Sequence, residues 1–173
     1  MAARVFVEAG AIARARAEAA RISLGTFVSE GLSDAAGGST AEPEAYAKII
    51  EAEIALKSDD PRAAIRLLTE ANTLADTWLG HFDLGLAYLK VPAFAQAASQ
   101  FDECLRRRGE ALSLFFDEEP TYRLLPPVFY YQGIAREGLN RPDAAESFRA
   151  YLSIRGTSTE DSIARDVRQR LGQ

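Results

Sequence analysis

HFDLGLAYLKVPAFAQAASQF, residues 81–101, sets Leu84, Gly85 and Tyr88 before Pro92, and Ala97 and Phe101 after it. Steps of three and four residues are those of one helix face, so each half reads as a helix and the proline marks the turn between them. Gly85 lets a second backbone come close, and Tyr88 fills the space beside it. The stretch DDPRAAIRLLTEAN, residues 59–72, carries the same second half: Ala64, Leu68 and Ala71 recur as Ala97, Phe101 and Cys104, each 33 positions later. A small, large, small series at i, i+4 and i+7 lies on one face, where the small residues admit a neighbouring helix.

Two further copies follow the same order. YYQGIAREGLNRPDAAESFRAYL keeps Gly133, Ala144 and Phe148 with a turn one residue shorter, and MAARVFVEAGAIARARAEAARI supplies Gly10, Ala15 and Ile22 but starts inside a first helix. The pattern resembles the tetratricopeptide repeat (TPR), a helix–turn–helix unit of about 34 residues with W-x2-L-G-x2-Y and then A-x3-F. Leu84, Gly85, Tyr88, Ala97 and Phe101 match it. His81 stands where the family has Trp, and the only Trp, Trp78, lies three residues earlier; in the preceding copy Ala52 replaces Gly and Ala55 replaces Tyr. The resemblance implies an all-α, right-handed α-solenoid of TPR-like helix pairs with a C-terminal capping helix. The incomplete first copy points to a chain that begins within a longer array.

The second-helix alanines Ala15, Ala64, Ala97 and Ala144 stand 49, 33 and 47 residues apart, so only the middle interval has the family's length. The organisation expected is a partial repeat over 1–30, a loop over 31–42, repeats over 43–77 and 78–116, an insertion over 117–126, a repeat over 127–156 and a terminal helix over 158–172. Gly37, Gly38, Ser39 and Thr40 give the loop a flexible composition. Before the insertion, good helix formers with a single breaker, Gly109, predict a second helix prolonged through Phe115 and Phe116. Pro120, Pro126 and Pro127 then force extended backbone, with Pro127 suited to the first turn of the next helix. In this reading Phe116, Tyr122 and Leu125 pack inward while Asp117, Glu118 and Glu119 face water. Ser158 and Asp161 have capping-box-like spacing at the start of the terminal helix, whose apolar face holds Ile163, Val167 and Leu171.

Several functions are disfavoured. A net charge of −5 over 173 residues argues against a broad phosphate-binding surface, so no nucleic acid partner is expected. One cysteine and one histidine cannot build a structural zinc site, and the acids at 117–119 lack the calcium-loop pattern; no metal and no cofactor are expected. No apolar run reaches the ~18 residues of a membrane span, and charges at Arg4, Glu8, Arg14, Arg16 and Glu18 exclude a secretion signal, which leaves a cytoplasmic setting as the expectation. His81 has no Ser or Cys nucleophile beside it with a carboxylate to orient the ring, so a packed or hydrogen-bonded histidine is preferred to a hydrolase base. Cys104 falls on the small-residue face and reads as a core thiol. Arg106, Arg107 and Arg108 read as a solvated helix end, with an acidic-peptide contact as the alternative.

The resemblance further implies that first helices line a concave groove that binds peptides or partner proteins. Carried over by position, the groove residues are Tyr46, Ile49, Glu53, Phe82, Leu86, Tyr130 and Ile134, an apolar and aromatic set; the alternative is that the chain's own segments cover some of them. Ile49, Glu53 and Asp83 stand where some family members grip a terminal carboxylate with Lys and Asn, so that mode is not expected. Residues 76–139 also resemble the C-terminal repeat regions of bacterial serine/threonine kinases of the eukaryotic-like type, which implies a non-catalytic regulatory or recruiting module. The expected function is a protein–protein interaction scaffold, with self-assembly into a homo-oligomer through exposed repeat ends as the alternative.

Overall fold

The computed structural model describes residues 2–23, 41–110, 125–155 and 161–173. Among these residues all regular structure is helical and no strand occurs. The chain divides into two compact units, Met1–Ala87 and Tyr88–Gln173.

In the first unit, α1 (Ala2–Glu8) and α2 (Ile12–Ser23) meet at Gly10, whose φ of +74° lies in the left-handed region that favours glycine. The Gly10 and Ala11 amides close that end on the Val7 and Phe6 carbonyls, a Schellman arrangement that satisfies two orphan acceptors of the last turn. α3 (Ala41–Lys57) and α4 (Pro61–Leu74) are joined in the same way: Asp59, at φ +59°, and Asp60 donate their amides to Leu56 and Ala55. Asp60 then caps α4, its carboxylate accepting the Ala63 amide at 3.0 Å, with Pro61 in the first helical position where it loses no bond. Ala64, Leu68 and Ala71 are the buried face of α4. Full burial of a side chain such as Leu68 contributes roughly 1.5–3 kcal/mol. Ala47, Ile50 and Ile54 of α3 join Ala3 and Val7 of α1 and Ala15 and Ala19 of α2 in one apolar cluster. α5 (Trp78–Lys90) brings Trp78 and Phe82, stacked with ring centroids 5.5 Å apart and planes 8° from parallel.

In the second unit, α6 (Phe94–Arg106), α7 (Leu125–Gly138), α8 (Ala144–Arg155) and α9 (Ser162–Arg170) pack in sequence, each against the next. Ala97, Phe101 and Cys104 are the buried positions of α6 that repeat those of α4. The α7–α8 turn closes on Asn140, at φ +54°, with the Asn140 and Arg141 amides on the Glu137 and Arg136 carbonyls. Gly133 lies against the Phe148 ring so closely that a Cβ there would stand 2.4 Å from Cε1. That contact explains why this register needs a glycine facing an aromatic. A polar line, buried at Gln132 and Ser147, ties three helices together: Gln132 donates to Asp102, Ser147 donates to Gln132 Oε1 at 2.8 Å, and Arg136 donates to Ser147 Oγ at 3.0 Å.

Several expectations change. α3 begins at Ala41, inside the span assigned to the 31–42 loop, and α7 begins at Leu125, inside the 117–126 insertion. Pro126 and Pro127 both sit in the first turn of α7, where missing amides cost nothing, rather than in extended backbone. Leu125 is half-buried; Phe115, Phe116, Asp117, Glu118, Glu119 and Tyr122 lie outside the described residues, as does most of the 31–42 loop. α6 stops at Arg106, with the Arg107 amide on the Glu103 carbonyl, and the backbone turns helical again over 108–110. The break thus comes before Gly109, not at it. The cap of α9 is Asp161 itself, which accepts the Ile163 and Ala164 amides; Ser158 lies outside the described residues.

Candidate functional site

Arg4, Glu53 and Asp83 come from α1, α3 and α5 and meet inside the first unit. Arg4 donates from Nη1 to Asp83 Oδ2 at 2.8 Å and from Nη2 to Asp83 Oδ1 at 3.3 Å, while Nη2 lies 2.6 Å from Glu53 Oε1. Asp83 is 2% exposed. One guanidinium therefore serves two carboxylates away from water. Burial, then the charge of Asp83, push Glu53 up to about 8, and burial also raises Asp83 against the pull of Arg4. Burial alone would lower Arg4, but the two carboxylates outweigh it and its pKa is raised.

This cluster redefines one of the positions assigned to a groove. Glu53 is engaged by Arg4 of the same chain and is not an open contact residue. Ile49 and Phe82 are buried, at 1% and 3% exposure, which removes both from direct partner contact. Their physical role is to support the surface: Ile49 is core to α3, and Phe82 stacks on Trp78. Tyr46 and Leu86 are half-buried and remain accessible in the first unit. In the second unit, Tyr130 and Ile134 pack on the cluster of Phe148, Tyr151, Ala164 and Val167, where α9 contributes the last two. Tyr130 Oη donates to Asp166 Oδ2 of α9 at 2.9 Å, and burial with that bond pushes its pKa up to about 12. The chain's own terminal helix thus engages Tyr130, while part of Ile134 stays exposed.

His81 Nε2 lies 2.6 Å from Asp76 Oδ1, the hydrogen-bonded state expected for it. Cys104 is fully buried in α6. Arg106 pairs with Glu103, and Arg107 donates from Nε to Glu110 at 2.9 Å. Arg107 is largely covered rather than solvated, because it lies between Glu103 and Glu110. Among the described residues no group of three or more His, Cys, Asp or Glu is placed to hold a metal ion, and no helix is long and apolar enough to cross a membrane. An open cleft in the second unit, about 440 Å³, is lined by Ala98, Asp102, Glu103, Arg106, Leu139 and Arg141. It mixes both charges with apolar surface.

The Arg4 cluster was not legible in the sequence. Arg4 and Asp83 are 79 residues apart, and the local pattern around Arg4 points to Glu8 instead, four residues on. The one signal available was an aspartate inside the apolar series Phe82, Leu84, Leu86, where a charge needs a partner. No family model, curated protein or solved structure matches the chain.

Proposed function

We propose that the chain is a non-catalytic protein-interaction scaffold built from TPR-like helix pairs arranged as a right-handed solenoid. The supporting observation is the recurrence of one packing register: Ala64, Leu68 and Ala71, then Ala97, Phe101 and Cys104, then Ala144, Phe148 and Tyr151, all buried on second helices. Such repetition yields stacked first helices whose outer residues are free to vary for recognition. The accessible members of the carried-over set, Tyr46 and Leu86 in the first unit and Ile134 in the second, are the contact residues in this reading. The partner is a peptide or protein segment with apolar side chains. A regulatory module of a larger bacterial signalling protein, in a cytoplasmic setting, agrees with the kinase-region resemblance and with a buried lone thiol.

The test is site-specific photocrosslinking. A benzophenone side chain at Leu86 should join the chain covalently to a partner segment identified by mass spectrometry, and the same group at the exposed Arg66 of α4 should not. Equal labelling from both positions would overturn the assignment of the face. Val5, at 59% exposure on α1, and Ile154, at 49% on α8, favour self-assembly as a second reading. Light scattering across concentration decides it: a mass that rises with concentration supports the contact, and a constant monomer mass removes it.

A further inference from the structure

The Arg4, Glu53 and Asp83 cluster holds two carboxylates against one guanidinium in a buried place. Fully ionised, it would carry a surplus negative charge with little water to solvate it, an arrangement that burial disfavours and that a bound proton relieves. Both carboxylates lie against the same Arg4 guanidinium, at 2.6 and 2.8 Å, so one proton serves the pair. Asp83 meets two guanidinium nitrogens, at 2.8 and 3.3 Å, whereas Glu53 meets one, Nη2 at 2.6 Å, and the proton is assigned to the carboxyl with the single contact. Among the described residues, Arg4 is the cation whose charge acts on Glu53. Glu8, also on α1, adds to the negative field at Glu53. The charges that α2 and α4 bring toward α3 are used elsewhere, Arg16 with Glu51 at 3.7 Å and Glu70 with Lys48 at 2.8 Å.

We propose that the first unit is a pH-responsive element: Glu53 stores one proton between α1, α3 and α5 at neutral pH, and loss of that proton in alkaline medium loosens the packing of these three helices. The sign follows from linkage. An acid whose folded pKa lies above its unfolded value binds the proton more tightly when folded, so stability is full below the unfolded value and declines as pH rises through the folded one. With Glu53 raised from 4.5 to about 8, the window runs from about pH 5 to about pH 8. Across it the folding equilibrium constant falls by up to about tenfold per pH unit. The consequence is mechanical as well as thermodynamic, because the same proton keeps the seven-residue α1 attached to two helices that carry Tyr46 and Leu86.

Trp78 is the only tryptophan and is fully buried in α5, the helix that carries Asp83, so its fluorescence reports the packing around the cluster. Urea titrations followed by Trp78 should give a midpoint that falls from pH 6 to pH 8.5 in the wild-type chain. In Glu53→Gln, which keeps a neutral donor toward Asp83, the midpoint should stay level over that range and exceed the wild-type value at pH 8.5. An unchanging wild-type midpoint, or an equal slope in the variant, would overturn the proposal. Because Glu53→Gln could fail to fold, carbon-13 NMR of the glutamate carboxyls in the wild-type chain provides an independent decision. One resonance titrating near pH 8 supports the stored proton, and titration of every glutamate below pH 6 refutes it.

Discussion

Replacing Gly133 by alanine sets two effects of opposite sign against each other. In an ordinary helix interior alanine is favoured over glycine by about 1 kcal/mol, through backbone entropy. At Gly133 the new Cβ would stand 2.4, 2.6 and 2.9 Å from Cε1, Cδ1 and Cζ of Phe148. Three atoms along one ring edge are involved, so a small rotation cannot clear them. The ring is buried, lies 6.3 Å from the Tyr130 ring and is covered by the Arg170 guanidinium at 5.9 Å, which leaves it little room to retreat. Forcing a methyl into such packing costs about 1–3 kcal/mol, and the entropic gain offsets only part of a cost at the upper end of that range. Gly133→Ala is therefore expected to destabilise the second unit by about 1–2 kcal/mol net. Denaturant unfolding followed by circular dichroism measures it. Gly109→Ala is the internal control, since nothing lies within 4 Å of its Cβ position; it should be neutral or stabilising. A smaller side chain opposite, Phe148→Leu, should relieve the clash, so the double variant should lose less than the two single losses combined. A Gly133→Ala chain as stable as wild type would refute the claim that the glycine is there to admit the ring.

Asp161→Ala removes a cap that holds two amides and also accepts from Tyr151 Oη and Arg155 Nε; hydrogen exchange over 162–170 should accelerate, with a loss of about 1–2 kcal/mol. Burial works against ionisation of Asp161, but the bonds from Arg155 and Tyr151 and the Ala164 amide hold it below the usual carboxylate range. The stability it contributes is then complete above the ordinary aspartate pKa of about 3.9 and is lost as pH falls below it, so protection of 162–170 should collapse first on acidification. Phe82→Ala should cost about 3–5 kcal/mol and shift the Trp78 emission, since it empties a buried site stacked on that indole; intact stability would mean that the aromatic pair is not core.

The parts of the fold that could be read from the sequence are those set by local geometry. Ala64, Leu68 and Ala71 announce a buried helical face by spacing alone, and the match with Ala97, Phe101 and Cys104 fixes a register that burial reproduces. Helix ends were less legible. The capping acid of α9 and the break at Arg107 depend on which of several adjacent polar residues meets the free amides or carbonyls, and neighbouring candidates have nearly equal propensities. Site residues were legible by position on the helix but not by exposure. Ile49 and Phe82 occupy the assigned face, yet other parts of the chain cover them. The Arg4, Glu53 and Asp83 cluster depends on contacts spanning 79 residues, and no local pattern encodes such a pairing.

The scaffold reading is tested most directly by isothermal titration of the purified chain with the partner segment defined by crosslinking. A saturable one-to-one heat should be seen, and the double variant Tyr46→Glu, Leu86→Glu should abolish it while the Trp78 emission and helical circular dichroism remain those of the wild type. Undiminished binding by that variant would contradict the account.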